Sequence, residues 1–174
     1  METIMSTCLV IVDVQDGFLA TSHDASSALL PHRIITHCNT HTYDHVVATR
    51  FVNHEGSRFC RMGWHGGLLT PESQRLAGGI ADVCERAFDK SGYSCWTPEF
   101  CRFVRDNSIR DVWFCGLDTE ACVLMSAVDA FEHDMRVHVL EDLCVSTYGG
   151  AIAHRAGIIA MSDMLGADAI VTSD

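Results

Sequence analysis

The stretch DVWFCGLDTEACVLMSA, residues 111–127, changes its period halfway along. Val112, Trp113, Phe114 and Cys115 form a short apolar run of strand formers, and Gly116 breaks it. Thr119 then stands where a helix N-cap is expected, and Cys122, Val123, Ser126, Val128 and Ala130 lie among good helix formers. A buried strand passing through a tight turn into a helix is half of a parallel α/β unit. Cys122 falls in the first turn of that helix, where free N–H groups and the helix dipole favour a thiolate. The competing reading is that Cys122 is one more small buried hydrophobe among nine cysteines.

The rest of the chain repeats the alternation. CLVIVDV, residues 8–14, is the near-continuous apolar run of a central parallel strand, interrupted by Asp13. Residues 22–41 are expected to be helical, with a restart at Pro31, and residues 46–49 form a second strand. Residues 51–79 are irregular and glycine-rich, as a binding loop or lid is. A third strand within residues 80–88 delivers Asp89 and Lys90 at its end. A helix over 98–107 enters from Thr97 with Pro98 at its first position. A strand at 137–140, a helix at 151–165 and a strand at 169–172 complete the series. The expectation is one domain over residues 1–174, a three-layer α/β/α Rossmann-like fold with a mainly parallel, six-stranded sheet.

Composition narrows the function. A net charge of −11 argues against nucleic acid or an anionic membrane as partner. No apolar run approaches a membrane span, and the start, METIMSTCLVIVDV, lacks the basic region of a signal peptide. Nine cysteines without CxxC spacing fit reduced thiols in a cytoplasm. His37 and His41 are four apart on a helix, but no third metal ligand is set by spacing, and surface histidines are the plainer reading. No glycine-rich phosphate loop follows the first strand, so no nucleotide cofactor is expected.

Of twelve basic residues only Lys90 is lysine. A compact charge with a tunable pKa is a task arginine does badly, although chance survival on the surface is the bland alternative. Ligands of open α/β sheets bind beyond the carboxyl ends of the strands, and Asp13, Lys90 and Cys122 all follow such ends. A carboxylate buried at Asp13 needs a partner, and Lys90 is the only lysine available; a loop carboxylate capping a helix is the alternative. Together the three supply nucleophilic amide chemistry. Asp13 takes and returns the proton, Lys90 holds the charge and lowers the thiol pKa, and Cys122 attacks a carbonyl. Backbone N–H groups in the turn from 117 to 122 are placed to bind the oxyanion. Phe18, Phe51, Asn53, Trp64 and Tyr93 are the candidate pocket residues, each equally readable as core.

IVDVQDGF around Asp13, FDKSGYS around Lys90 and GLDTEACVLMSAVDAF around Cys122 resemble the isochorismatase-like cysteine hydrolases. VLEDLCVSTYGGAIAHRAG and GADAIVTS extend the resemblance to the end of the chain. It implies the Asp13–Lys90–Cys122 triad, a cis peptide joining Leu117 to Asp118, and an oxyanion hole from the N–H groups of Asp118 and Cys122. It also implies a homodimer or homotetramer. Nicotinamidases of that family carry a metal-binding Asp-x-His after the second strand. The matching positions in ATRFVNHEGS are Phe51 and Asn53, with His54 and His65 out of register, so the expectation is a metal-independent branch. Asp118 is a further departure, since many amidase members have a small apolar residue there. The expected activity is hydrolysis of a small non-peptide amide, imide or ureido C–N bond through a thioester. A vinyl-ether hydrolase, in which Asp13 protonates substrate and Cys122 is dispensable, is the first alternative, and a catalytically silent oligomeric ligand-binding module the second.

Overall fold

The computed structural model describes residues 5–62 and 67–174. In chain order its elements are β1 (Ser6–Val12), α1 (Asp16–Ala20), α2 (Leu30–Thr40), β2 (His45–Phe51), α3 (Arg58–Arg61) and α4 (Pro71–Gln74). There follow α5 (Ile80–Val83), β3 (Arg86–Lys90), α6 (Pro98–Asp106), β4 (Ile109–Gly116), α7 (Leu124–Glu132), β5 (Arg136–Cys144), α8 (Gly150–Leu165) and β6 (Ile170–Val171). The strands form one parallel sheet in the order β3-β2-β1-β4-β5-β6. The chain winds outward from β1 in one direction and, after crossing back, from β4 in the other. That reversal opens a crevice above the carboxyl ends of β1 and β4.

The apolar run of β1 is explained by burial on both faces. Cys8, Val10 and Val12 point into a cluster with Phe100, Phe114, Ala127 and Met161, beneath α6, α7 and α8. Leu9 and Ile11 point the other way, against Leu30, Ile34 and Ile80 of α2 and α5. Residues Cys8 through Val12 are all fully buried, and each large aliphatic among them contributes roughly 1.5–3 kcal/mol of burial. No helix among the described residues is long and apolar enough to cross a membrane.

The structure shifts four expected boundaries. β1 stops at Val12, because Asp13 adopts a left-handed backbone, φ 51°, which no strand continues through. The expected helix over 22–41 divides into a 3-10 turn, Ala25–Leu29, capped by Asp24, and α2 with Pro31 in its first turn. Residues 80–83 coil into α5 rather than opening β3, entered from Gly79 at φ 86°. Thr119 is not an N-cap: Asp118 holds that place, and residues Thr119–Val123 form a wide π-helical turn before α7.

Candidate active site

The end of β1 turns sharply at Asp13, and its left-handed backbone aims the carboxylate inward. Asp13 is fully buried, and Thr49 of β2 grips it twice. The Thr49 hydroxyl donates to Asp13 Oδ1 at 2.7 Å and accepts the Asp13 backbone N–H at 3.1 Å. β3 is the edge strand, two places away from β1, so only a long side chain reaches the crevice from it. Lys90 does so: its Nζ lies 2.6 Å from Asp13 Oδ2, a charge pairing whose angles fall outside a hydrogen bond. It also donates to the carbonyls of Gly92 and Tyr93, both at 2.9 Å, and to Cys122 Sγ at 3.4 Å. Its stem crosses the face of Phe51, with Nζ 5.6 Å from the ring centre.

Cys122 arrives from the other side of the crevice. β4 ends at Gly116, φ 118°, where a Cβ would meet the Val12 carbonyl oxygen at 2.2 Å. Glycine thus lets the ends of β1 and β4 approach closely enough to bring Asp13 and Cys122 together. The Asp118 carbonyl then accepts the N–H groups of Ala121 and Val123, at 3.0 and 3.2 Å, which winds the turn wide. π-turns recur at functional sites. The expected cis bond between Leu117 and Asp118 is absent: every peptide among the described residues is trans. The trans turn is closed by its own hydrogen bonds, from Leu117 N–H to Val12 and from Thr119 N–H to Val145. The Thr119 hydroxyl, freed from capping, meets His154 Nδ1 of α8 at 2.8 Å.

Burial pushes the Cys122 thiol well above the ordinary range, and the Asp13 carboxylate adds to this, while Lys90 works against it. The expectation of a thiol lowered by lysine and helix dipole is therefore corrected. Lys90 spends its charge mainly on Asp13, and the thiol is almost wholly sealed from water. Burial alone would lower the Lys90 pKa, but Asp13 and Cys122 outweigh it and leave the value raised. Lys90 is thus held as an ammonium and Cys122 as a protonated thiol beside the Asp13 side chain.

Above Cys122 lies a cavity of about 180 Å³ lined by Phe18, Phe51, Phe59, Tyr93, Asp118, Glu120, Ala121, Cys122 and Tyr148. Phe18, Phe51 and Tyr93 are thus brought to it as expected from the sequence. Asn53 is not: its amide donates to the Gly67 carbonyl, and its oxygen accepts from Ser57 Oγ and His54 N–H. Trp64 lies outside the described residues. Thr49, Phe59, Glu120 and Tyr148 were missed. Thr49 carried a signal, a polar side chain closing an otherwise apolar strand, and Glu120 sits inside the Cys122 motif itself.

Asp118 faces the same cavity. Its Oδ1 accepts the Thr147 N–H at 2.6 Å and the Thr147 hydroxyl at 2.7 Å. Burial raises its pKa to about 6 against these bonds, and the charges of Glu120 and Asp13 push the same way. A nicotinamidase-type metal does not fit at the matching positions, because Phe51 is an aromatic wall and Asn53 is spent on loop hydrogen bonds. Among the described residues no three His, Cys, Asp or Glu side chains converge on one point. His37 bonds to the Tyr43 hydroxyl at 2.8 Å and stacks on His41.

Comparison with known proteins gives the family and the fold. The isochorismatase domain model matches residues 7–173. Isochorismatase family protein 2A of Dictyostelium discoideum is 26% identical over 145 residues, 81% of this chain and 67% of that protein. Isochorismatase domain-containing protein 2 of Bos taurus is 42% identical over 38 residues, 22% of this chain and 19% of its own length. Nicotinamidase PncA of Bacillus subtilis superposes with a TM-score of 0.81 at 18% identity, covering 97% of this chain and 100% of its own. PnC1 from L. infantum, solved with nicotinate, gives 0.76 at 22% identity, covering 98% and 97%. At those identities the structural likeness speaks for the fold alone. The family match spans nearly the whole chain, and this protein belongs to the isochorismatase-like hydrolase family.

Proposed function

We propose that the chain is a cysteine-dependent amidohydrolase acting on a small non-peptide amide, imide or ureido C–N bond. One observation carries this reading: a carboxylate and an ammonium, 0% and 3% exposed, are paired behind a thiol, 8% exposed, that lines one cavity. Such a cluster has no structural reason to exist, since a buried ion pair rarely stabilises a fold beyond what apolar residues would.

Each part has a step. Substrate enters with its carbonyl carbon over Cys122 Sγ. The thiol proton passes to Asp13 as the sulfur attacks, so no free thiolate has to wait in an apolar pocket. The carbonyl oxygen takes the negative charge against the backbone N–H groups of Asp118 and Cys122. Asp13 then returns the proton to the departing nitrogen, the C–N bond breaks and an acyl thioester remains. Water gives a proton to Asp13, its hydroxide adds to the thioester, and the acid leaves as Cys122 recovers its proton. Lys90 keeps Asp13 charged between steps.

The same reading extends to partners and place. The substrate is a small molecule, with neither nucleic acid nor membrane as partner and with neither metal nor cofactor in the steps. Nine unpaired thiols support a reducing cytoplasm. Exposed Phe131, Ile152 and Ile159 on α7 and α8, 52%, 85% and 52% exposed, support a homodimer or homotetramer.

The test is a pair of readings on one set of variants. Hydrolysis is followed over a panel of small amides, and iodoacetamide labelling of Cys122 is followed by mass spectrometry. Cys122→Ala abolishes turnover. Asp13→Asn also costs about 10³-fold or more in turnover, yet speeds labelling near neutral pH, because it removes a charge that holds the thiol proton while Lys90 stays. Unchanged hydrolysis in Cys122→Ala, or slower labelling in Asp13→Asn, overturns the mechanism.

A further inference from the structure

Resting on the proposed hydrolase reading, the geometry points to its substrate class: a small amide whose non-reacting end is cationic, an ammonium or guanidinium, held by Glu120 and Asp118 between aromatic walls.

The cavity wall has a one-sided chemistry. Among the described residues its lining includes two acids, Asp118 and Glu120, and no Lys, Arg or His. Of the cations nearby, Lys90 is already paired with Asp13, and Arg58, over the Phe59 ring, donates to the Ser91 carbonyl. Glu120 is only half served: Oε1 accepts from Ser146 Oγ at 2.6 Å, while Oε2 is buried without a hydrogen-bond partner. A buried acceptor left in this state is a place for a donor to arrive. Asp118 likewise directs only Oδ1 to Thr147, and its pKa is raised by burial first, with the charge of Glu120 adding to it. A cation between them would offset that charge.

The other lining side chains are Phe18, Phe51, Phe59 and Tyr93, with Tyr148 beside Asp118 and Glu120. Phe51 and Phe59 meet edge to face, 4.9 Å between centres, and Phe59 meets Tyr93 the same way at 5.2 Å. Aromatic faces attract a cation and carry no countercharge that would compete with the carboxylates. An anionic substrate, by contrast, would bring a third negative charge beside Asp118 and Glu120.

The experiment uses methanethiosulfonate reagents on the intact chain: a small neutral methyl reagent, and a cationic trimethylammonioethyl and an anionic sulfonatoethyl reagent of comparable size. Labelling of Cys122 is timed for each and normalised to the neutral reagent, with the half-exposed Cys101 as internal reference for the field of the whole molecule. Cys122 is expected to favour the cationic over the anionic reagent by at least about tenfold more than Cys101 does. Glu120→Gln, which keeps the acceptor for Ser146, collapses that excess, whereas Glu132→Gln at the exposed end of α7 leaves it. On the wild type, methylguanidinium also protects Cys122 from the neutral reagent better than methylurea or acetate does, a reading that needs no variant to fold. If Cys122 shows no cation excess over Cys101, or acetate protects as well as methylguanidinium, the charge assignment fails. The hydrolase reading then still stands on the neutral reagent. If the neutral reagent does not label Cys122 at all, the hydrolase reading fails and this one with it.

Discussion

Asp13 and Asp118 make the same move at neighbouring places. Each lies just beyond a central strand, Asp13 after β1 and Asp118 after β4; Asp118 lines the cavity, and Asp13 is buried against the lysine behind Cys122. Their partners differ. Asp13 holds an ammonium at 2.6 Å and a threonine hydroxyl at 2.7 Å. Asp118 has a hydroxyl and an N–H from Thr147, no cation, and a second acid beside it. The difference teaches that position under a Rossmann-like crevice delivers a carboxylate, while its surroundings decide its state: burial first, then the charges of Glu120 and Asp13, raise the Asp118 pKa to about 6, and Asp13 has an ammonium for a partner.

The largest way to break this contrast is to remove the cation. Lys90→Met leaves Asp13 buried with only Thr49 for company. Deleting one partner of a buried pair costs about 3–5 kcal/mol. A denaturant midpoint well below wild type is expected, together with slower iodoacetamide labelling of Cys122, since lysine is what pulls the thiol pKa back. A variant as stable as wild type would mean that Asp13 is not charged in the folded chain, and the contrast would dissolve.

Much of this was legible in the sequence. β1 and β4 declared themselves because strands buried on both faces are continuously apolar; Asp13 stood out as a polar break against that background, and Lys90 as the one lysine among eleven arginines. The turn after β4 was less legible. Thr119 satisfies every local rule for an N-cap, yet the winding is set by Asp118, whose carbonyl takes two N–H groups, and by α8 packing from far along the chain. Glu120 was missed for the same reason: its buried oxygen depends on Ser146, 26 residues away. The pocket guesses divided by the same rule. Phe18 and Phe51 follow strand ends that the crevice positions directly, whereas Asn53 was claimed by the loop's own hydrogen bonds.

A middle-sized effect sharpens the comparison by disturbing only one side of it. Gly157 of α8 packs on the turn so tightly that a Cβ there would meet Glu120 Cα at 2.8 Å and its backbone nitrogen at 2.9 Å. Helix propensity favours alanine at such a site by about 1 kcal/mol, but the clash is with backbone, and overpacking typically costs 1–3 kcal/mol. Gly157→Ala is therefore expected to destabilise the chain by about 1 kcal/mol and to slow turnover by displacing Cys122 and Glu120. The Asp13–Lys90 pair, on the opposite side of the crevice, stays in place. Equal turnover with full stability would show that the turn gives way without moving Cys122.

The smallest effect concerns Asp118 alone, and its sign runs against that of most acids in folded proteins. Its pKa is raised from 3.8 to about 6, by burial first and then by Glu120 and Asp13. Between those two values the folded chain binds more protons than the unfolded one, so stability falls as pH rises through the window and levels off above it. Lys90 behaves in the opposite range. Its raised pKa makes the pairing fully present below the ordinary lysine value of 10.5, and lost only as pH climbs through the folded value. The two carboxylates are thus separable by pH. Asp118→Asn keeps an oxygen for both Thr147 donors and removes the charge beside Glu120. Compared with wild type, its unfolding free energy should be flatter between about pH 4 and 6 and somewhat higher at pH 7. The alkaline loss tied to Lys90 should be unchanged. If the acid-side slope survives in Asp118→Asn, Thr147 suffices to keep Asp118 ionised, and the two acids differ in partner but not in protonation.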